Sequence, residues 1–136
     1  MNLAELIHPG MYKEEAFVVE EKYIATHVGS GSSRVLATPW MIAFMERVAH
    51  RLLAEHLPEG YSSVGALVNI RHLAPTPVGC SVRVRSEVKE IDGMRVIFSV
   101  QAWDEIEQIG DGQHQRVVID QARFLRRVEG KLEKIK

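Results

Sequence analysis

Four residues have types and spacing that could support chemistry: Thr38, Glu46, Gly65 and His72. Glu46 lies in "VLATPWMIAFMERVAHRLLAEHL". A helical wheel there puts Met41, Met45, Val48 and Leu52 at the apolar centre, and Glu46 at its rim beside Leu53 and Leu57. A carboxylate in that position either pairs with His50 one turn on or lines a site. His72 ends the strand-like stretch "GALVNIRHLAPTP" and alternates with Val64, Ala66, Val68 and Ile70, so it should point toward the helix. An inward histidine is either a satisfied core residue or an acid–base group. A strand end before a Pro-bounded loop is a usual place for a site, and a neutral imidazole near a carboxylate makes a general acid–base pair.

Thr38 reads as a helix N-cap, with Pro39 at the first helical position. The same helix end would offer free N–H groups and a positive dipole to an oxyanion. Gly65 is either a turn or bulge glycine or a point of close backbone approach to a ligand. Other chemistries lack their signatures. His50, His56 and His72, with the lone Cys80, do not show the spacing of a zinc site, so no metal is expected. There is no G-x-S-x-G, P-loop or G-x-G-x-x-G. "GSGSSR" reads as a hinge or lid, Trp40 and Trp103 as packing residues, and Cys80 as an inert buried thiol.

The elements that must position these residues follow from periodicity. "EEAFVVEEKYIATHV" is rich in Val, Tyr, Ile and Thr and reads as a first strand. The helix should run from Thr38 to about Leu57, ended by Pro58 and Gly60, as the only long helical pattern. Residues 62–74 and 79–91 alternate as strands, and "IDGM" supplies an Asp-Gly hairpin turn. Met94, Val96, Phe98, Val100 and Ala102 form the apolar face of the next strand. "IGDGQH" reads as a turn. "QRVVIDQARFLRRV" reads as a last strand with a bulge, and "EGKLEKIK" as a solvated tail. One helix and one antiparallel sheet bury their apolar faces together. The expectation is therefore an α+β hotdog fold: about five antiparallel strands, joined largely as a meander, wrapped around one long helix.

Bulk composition narrows the class. A chain of 136 residues is expected to form one domain, residues 1–136, with its own core. A net charge of −1 gives no electrostatic footprint for nucleic acid or an anionic membrane. A single cysteine makes no intrachain disulfide, which points to a reducing cytoplasm. No apolar run approaches a membrane span, and the N-terminus lacks a signal-peptide pattern.

"VLATPWMIAFMERVA" followed by "SSVGALVNIRHLAPTPVG" resembles the fluoroacetyl-CoA thioesterase-like family of hotdog thioesterases, most strongly over residues 35–79. Thr38 precedes Glu46 by eight residues and Glu46 precedes His72 by 26; all three match the family's catalytic threonine, glutamate and histidine. Gly65 matches a glycine that contacts the substrate thioester. The resemblance implies hydrolysis of acyl-CoA thioesters by a homodimer or dimer of dimers. It implies no metal and no cofactor beyond the coenzyme A of the substrate itself. It makes Glu46 the nucleophile or general base, His72 its acid–base partner, and Thr38 the residue that orients substrate or water. Fluoroacetate-specialised members carry an aromatic lid before the threonine, whereas "GSGSSR" has no aromatic residue, which implies a broader or different acyl group. Thr38 and Glu46 stand about 12 Å apart along a regular helix, so a site using both is expected to be shared between subunits. The competing expectation is a non-catalytic module on the same fold that binds acyl-CoA or an acyl carrier; the acid–base pair favours the enzyme.

Overall fold

The computed structural model describes residues 1–136. After a 3-10 turn at Leu3–Glu5, strand β1 (Tyr12–Val18) leads into a second 3-10 turn and the single-turn helix α1 (Ala25–Val28). The long helix α2 (Thr38–Ala54) follows, then β2 (Tyr61–His72), β3 (Ser81–Asp92), β4 (Arg95–Trp103), β5 (Gln108–Asp120) and helix α3 (Gln121–Ile135). The five strands form one antiparallel sheet in the order β1-β3-β4-β5-β2. This is the expected α+β hotdog architecture, with the sheet packed around α2.

The core is the meeting of one helix face with one sheet face. Met41, Phe44, Met45, Val48, Ala49, Leu52 and Leu53 of α2 are buried. They pack in one cluster with Val82, Val84 and Val88 of β3, Val96, Phe98, Val100 and Ala102 of β4, and Ile109 and Val118 of β5. Burying a large apolar side chain contributes about 1.5–3 kcal/mol before entropy is counted. The wheel reading of Met41, Met45, Val48 and Leu52 as the helix centre therefore holds, as does the alternation of β3 and of β4 from Val96 to Ala102.

Several expectations are corrected. The segment "IATHV" is largely the helical turn α1, not a strand end. The chain after Asp120 is helix α3 rather than strand and tail, so α2 is not the only long helix; the Asp120 side chain caps it by accepting from the Arg123 N–H. β2 does not join the meander. It lies beside β5, and residues 73–80 carry the chain across to β3. The turn before β5 is not "IGDGQH" but residues 104–107, where Asp104 Oδ1 accepts from the N–H groups of Ile106 and Glu107. Cys80 is half-buried rather than buried.

The glycines of "IGDGQH" serve close packing inside β5. A Cβ on Gly112, whose φ is +153°, would lie 2.2 Å from the Asn69 carbonyl oxygen and 2.8 Å from Ile70 Cα on β2. Both atoms are backbone and cannot swing aside. Gly112→Ala should therefore cost more than about 2 kcal/mol of stability in a denaturant melt. A melt within experimental error of wild type would contradict this close approach.

Candidate active site

The N-terminal end of α2 and the C-terminal end of β2 meet at one cleft. Thr38 is the first helical residue, and the N-cap is Ala37, which makes no side-chain cap hydrogen bond. The N-cap reading of Thr38 is thus corrected. Its hydroxyl is turned outward, and Oγ1 lies 2.6 Å from His72 Nδ1. Backbone contacts hold this end: Ala37 N–H donates to the Tyr23 carbonyl and Leu36 N–H to the Thr76 carbonyl. The cap position is therefore fixed by neighbouring loops, which frees the threonine.

His72 is half-buried, and its Nε2 is buried with no hydrogen-bond partner in the protein. Burial lowers its pKa, opposed by the Ala74 carbonyl. A cleft of about 430 Å³ opens over the pair and is lined by Ser30, Gly31 and Ser33 of the "GSGSSR" loop, and by Val35, Leu73 and Pro75. The loop read as a hinge or lid is therefore a wall of this cleft.

Glu46 belongs to a second cluster, further along the helix. It makes no contact with His50; that pairing is overturned, because His50 Nδ1 turns toward Ser63 Oγ at 3.4 Å. Glu46 Oε2 instead faces Arg116 Nη1 at 3.9 Å. Arg116 is only 6 % exposed, so its guanidinium must find acceptors inside the protein. Nε donates to Ser63 Oγ at 2.9 Å and Nη2 to the Ser63 carbonyl at 3.1 Å. Nη1 donates to His114 Nε2 at 3.1 Å. Since a carbonyl only accepts, His114 Nδ1 must carry the proton that reaches the Leu67 carbonyl at 2.8 Å. Burial and Arg116 beside it favour a neutral His114, whose pKa is lowered against the pull of the Leu67 carbonyl and of Glu46. Burial pushes the Arg116 guanidinium down, against the pull of Glu46.

Gly65 sits beneath these groups. A Cβ there would lie 3.0 Å from Glu46 Oε2, 3.5 Å from His114 Cε1 and 3.7 Å from Arg116 Nη1. The missing side chain leaves room beside the carboxylate. The face shared by Gly65 and His72 differs from the one read in the sequence. The register shifts between Gly65 and Leu67, so Ser63 and Gly65 lie opposite the inward residues Val118 and Arg116, while Val68 lies opposite the inward His114. Ile70 and His72 continue the Val68 face, whereas Val64 pairs with Val117 on the other face. Of the four candidates, Thr38 pairs with His72 and Glu46 with Gly65, in two clusters. Arg116 and His114 were missed in the sequence; the only signal was their inward alternation with Val118 in "HQRVV". No group of three or more His, Cys, Asp or Glu side chains converges as a metal site would require.

Comparison with known proteins places the chain. The profile of the family described as fluoroacetyl-CoA-specific thioesterase matches residues 19–122. The fluoroacetyl-CoA thioesterase of Streptantibioticus cattleyicolor is 36% identical over 97 residues, covering 71% of this chain and 70% of its own. A solved structure of a fluoroacetyl-CoA thioesterase variant with fluoroacetate superposes with a TM-score of 0.86 at 30% identity, covering 92% of this chain and 98% of that one. A hot-dog-like protein from Thermanaerovibrio acidaminovorans superposes at 0.90 with 27% identity, covering 96% and 97%.

Three histidines, His50, His72 and His114, have pKa values lowered chiefly by burial. The unfolded chain, with ordinary values near about 6.5, binds more protons than the folded chain below that pH. Stability should therefore be full above about pH 6.5 and fall as the pH drops toward the lower folded values. Denaturant melts at pH 7.5 and pH 5 test this; equal stability at both would refute the buried, neutral state of these rings.

Proposed function

The chain belongs to the fluoroacetyl-CoA-specific thioesterase family and is an acyl-CoA thioesterase; on that footing we propose that Thr38, Glu46 and His72 carry the hydrolysis, with Gly65 making room for the thioester. The observation that supports this most is the 2.6 Å contact between Thr38 Oγ1 and His72 Nδ1 beside a cleft that both residues line, with His72 Nε2 buried and without a hydrogen-bond partner. A Thr–His pair with one free ring nitrogen can hand a proton to a departing thiolate. The reaction adds the hydroxyl of water to the acyl carbon and its proton to sulfur, breaking the C–S bond. Glu46 serves as the anion, either attacking the acyl carbon or taking the proton from water, and His72 protonates the coenzyme A sulfur.

The two clusters complete one site when two copies of the chain meet. Thr38 with His72 and Glu46 with Gly65 lie at opposite ends of one stretch of β2. That strand is a sheet edge whose middle, from Gly65 to Asn69, is exposed. Edge strands are usually paired or covered. Antiparallel pairing of β2 with itself, about an axis near Val68, would bring the partner's His72 opposite Gly65. A homodimer with two shared sites follows. The cleft walls combine aliphatic residues such as Val35, Leu36 and Leu73 with Ser30 and Ser33 and hold no Phe, Tyr or Trp, which supports acyl groups larger than fluoroacetyl.

A panel of acetyl-, fluoroacetyl-, butyryl-, isobutyryl- and phenylacetyl-CoA, read by release of free thiol, tests the activity. Wild type should turn over at least one larger acyl group faster than fluoroacetyl-CoA. No turnover of any member would favour a binding module instead. Glu46→Gln and His72→Ala should each lower kcat by about 100-fold or more while folding normally, and Thr38→Ser should retain activity. Near wild-type kcat in Glu46→Gln would sink the assignment. Mixing inactive Glu46→Ala and His72→Ala chains should restore activity, because a shared arrangement regenerates one intact site. A mixture that stays dead would place each site within one chain.

A further inference from the structure

We propose that His114 is a positioning residue for Glu46, acting through Arg116. This rests on the catalytic role proposed for Glu46 and extends it to residues that touch neither the cleft nor the Thr38–His72 pair. Glu46 has one cationic side chain within ion-pair distance, Arg116, at 3.9 Å, and no side-chain hydrogen bond of its own holds its carboxylate. Where the carboxylate sits therefore depends on where the guanidinium sits.

Arg116 is held at three points. Ser63 supplies two of them, through its hydroxyl and its carbonyl, and His114 Nε2 supplies the third. Only the third acts on Nη1, the nitrogen that faces Glu46. The imidazole is fixed in turn by donating Nδ1–H to the carbonyl of Leu67, at the register shift of β2, and by lying flat against Phe98 at a ring distance of 6.3 Å. A chain of donors thus runs from the arginine through the ring to the backbone and ends in a carbonyl that can only accept. It works in one protonation state. A doubly protonated His114 has no lone pair for Arg116, and it would set a second positive charge against the first. The charged or titratable groups around it are Arg116 on its own strand and Glu46 on α2, while β4 presents only Phe98 and β2 only a carbonyl.

His114→Phe keeps the flat ring and removes both nitrogens. His114→Gln returns an oxygen that can accept from Arg116. On the fastest substrate of the panel, the phenylalanine variant should lose roughly 10- to 100-fold in kcat, the range typical of groups that orient a first-contact residue. Its KM should stay near that of wild type, and the glutamine variant should recover most of the loss. In the Glu46→Gln background, His114→Phe should cost nothing further, because the group it positions is already gone. Folding is checked by melting. If His114→Phe does not fold, Arg116→Lys serves instead: it keeps the charge but cannot reach Ser63, His114 and Glu46 together, and should show the same kcat loss. Full kcat in Glu46→Gln overturns the catalytic reading of Glu46. An inactive Glu46→Gln alongside a fully active His114→Phe, or equal losses in the Phe and Gln variants, overturns the positioning role alone.

Discussion

Gly65 and His72 are seven positions apart, and in an unbroken strand an odd offset puts two residues on opposite faces. Both must face α2 for the clusters to exist. The register shift of β2 between Gly65 and Leu67 makes that possible, because one extra residue there reverses the phase of everything after it. Ser63 and Gly65 face the helix before the shift, and Val68, Ile70 and His72 face it afterwards. The same irregularity leaves the Leu67 carbonyl placed to accept from His114. One inserted residue therefore sets the room beside Glu46, the direction of His72 and the anchor of the buried histidine.

That local device works only against a rigid background, which the helix–sheet core supplies. Met41 is fully buried, and a Cβ on Gly110 would come within 2.6 Å of its sulfur, so the start of α2 sits hard against β5. His72 pairs with this same Gly110. The position of His72 relative to Thr38 is thus set by packing at the first turn of α2. The 2.6 Å contact between their side chains is a consequence of that packing.

Much of this was legible in the residues, and the failures share a cause. The buried face of α2 and the alternation of β3 and β4 follow from local periodicity, which one helix face and one sheet face preserve; "IDGM" does hold a hairpin, but its two turn residues are Gly93 and Met94, while Asp92 ends β3 paired with Arg95. The bulge in β2 was not legible, because Val64, Ala66, Val68 and Ile70 alternate well by eye and the phase change falls among small apolar residues. Thr38 was read as a cap because its residue type suits one, but loops on either side fix the cap at Ala37 and leave the hydroxyl for His72. The glycines of "IGDGQH" were read as a turn, when close approach of β2 and of Met41 requires them inside a strand. Helix α3 was hidden because its apolar residues, Leu125, Val128, Leu132 and Ile135, remain about half exposed or more in the chain and are diluted by charge.

The least legible feature was the buried arginine, and its chemistry explains why it is an arginine. Its five N–H groups form a fixed fork that can meet a hydroxyl, a carbonyl and an imidazole at once while one nitrogen still faces a carboxylate. A lysine has three donors on one atom and cannot span those directions. A neutral side chain would leave Glu46 without its cationic neighbour beside the core. Burying a charge whose counter-ion stands 3.9 Å away is costly, since the attraction at that distance does not by itself repay desolvation. The hydrogen bonds to Ser63 and His114 must make up the difference. Stability alone would be better served by apolar packing at this position. An arginine here, with a neutral histidine behind it and a glycine beneath it, is what a fixed carboxylate next to open space requires.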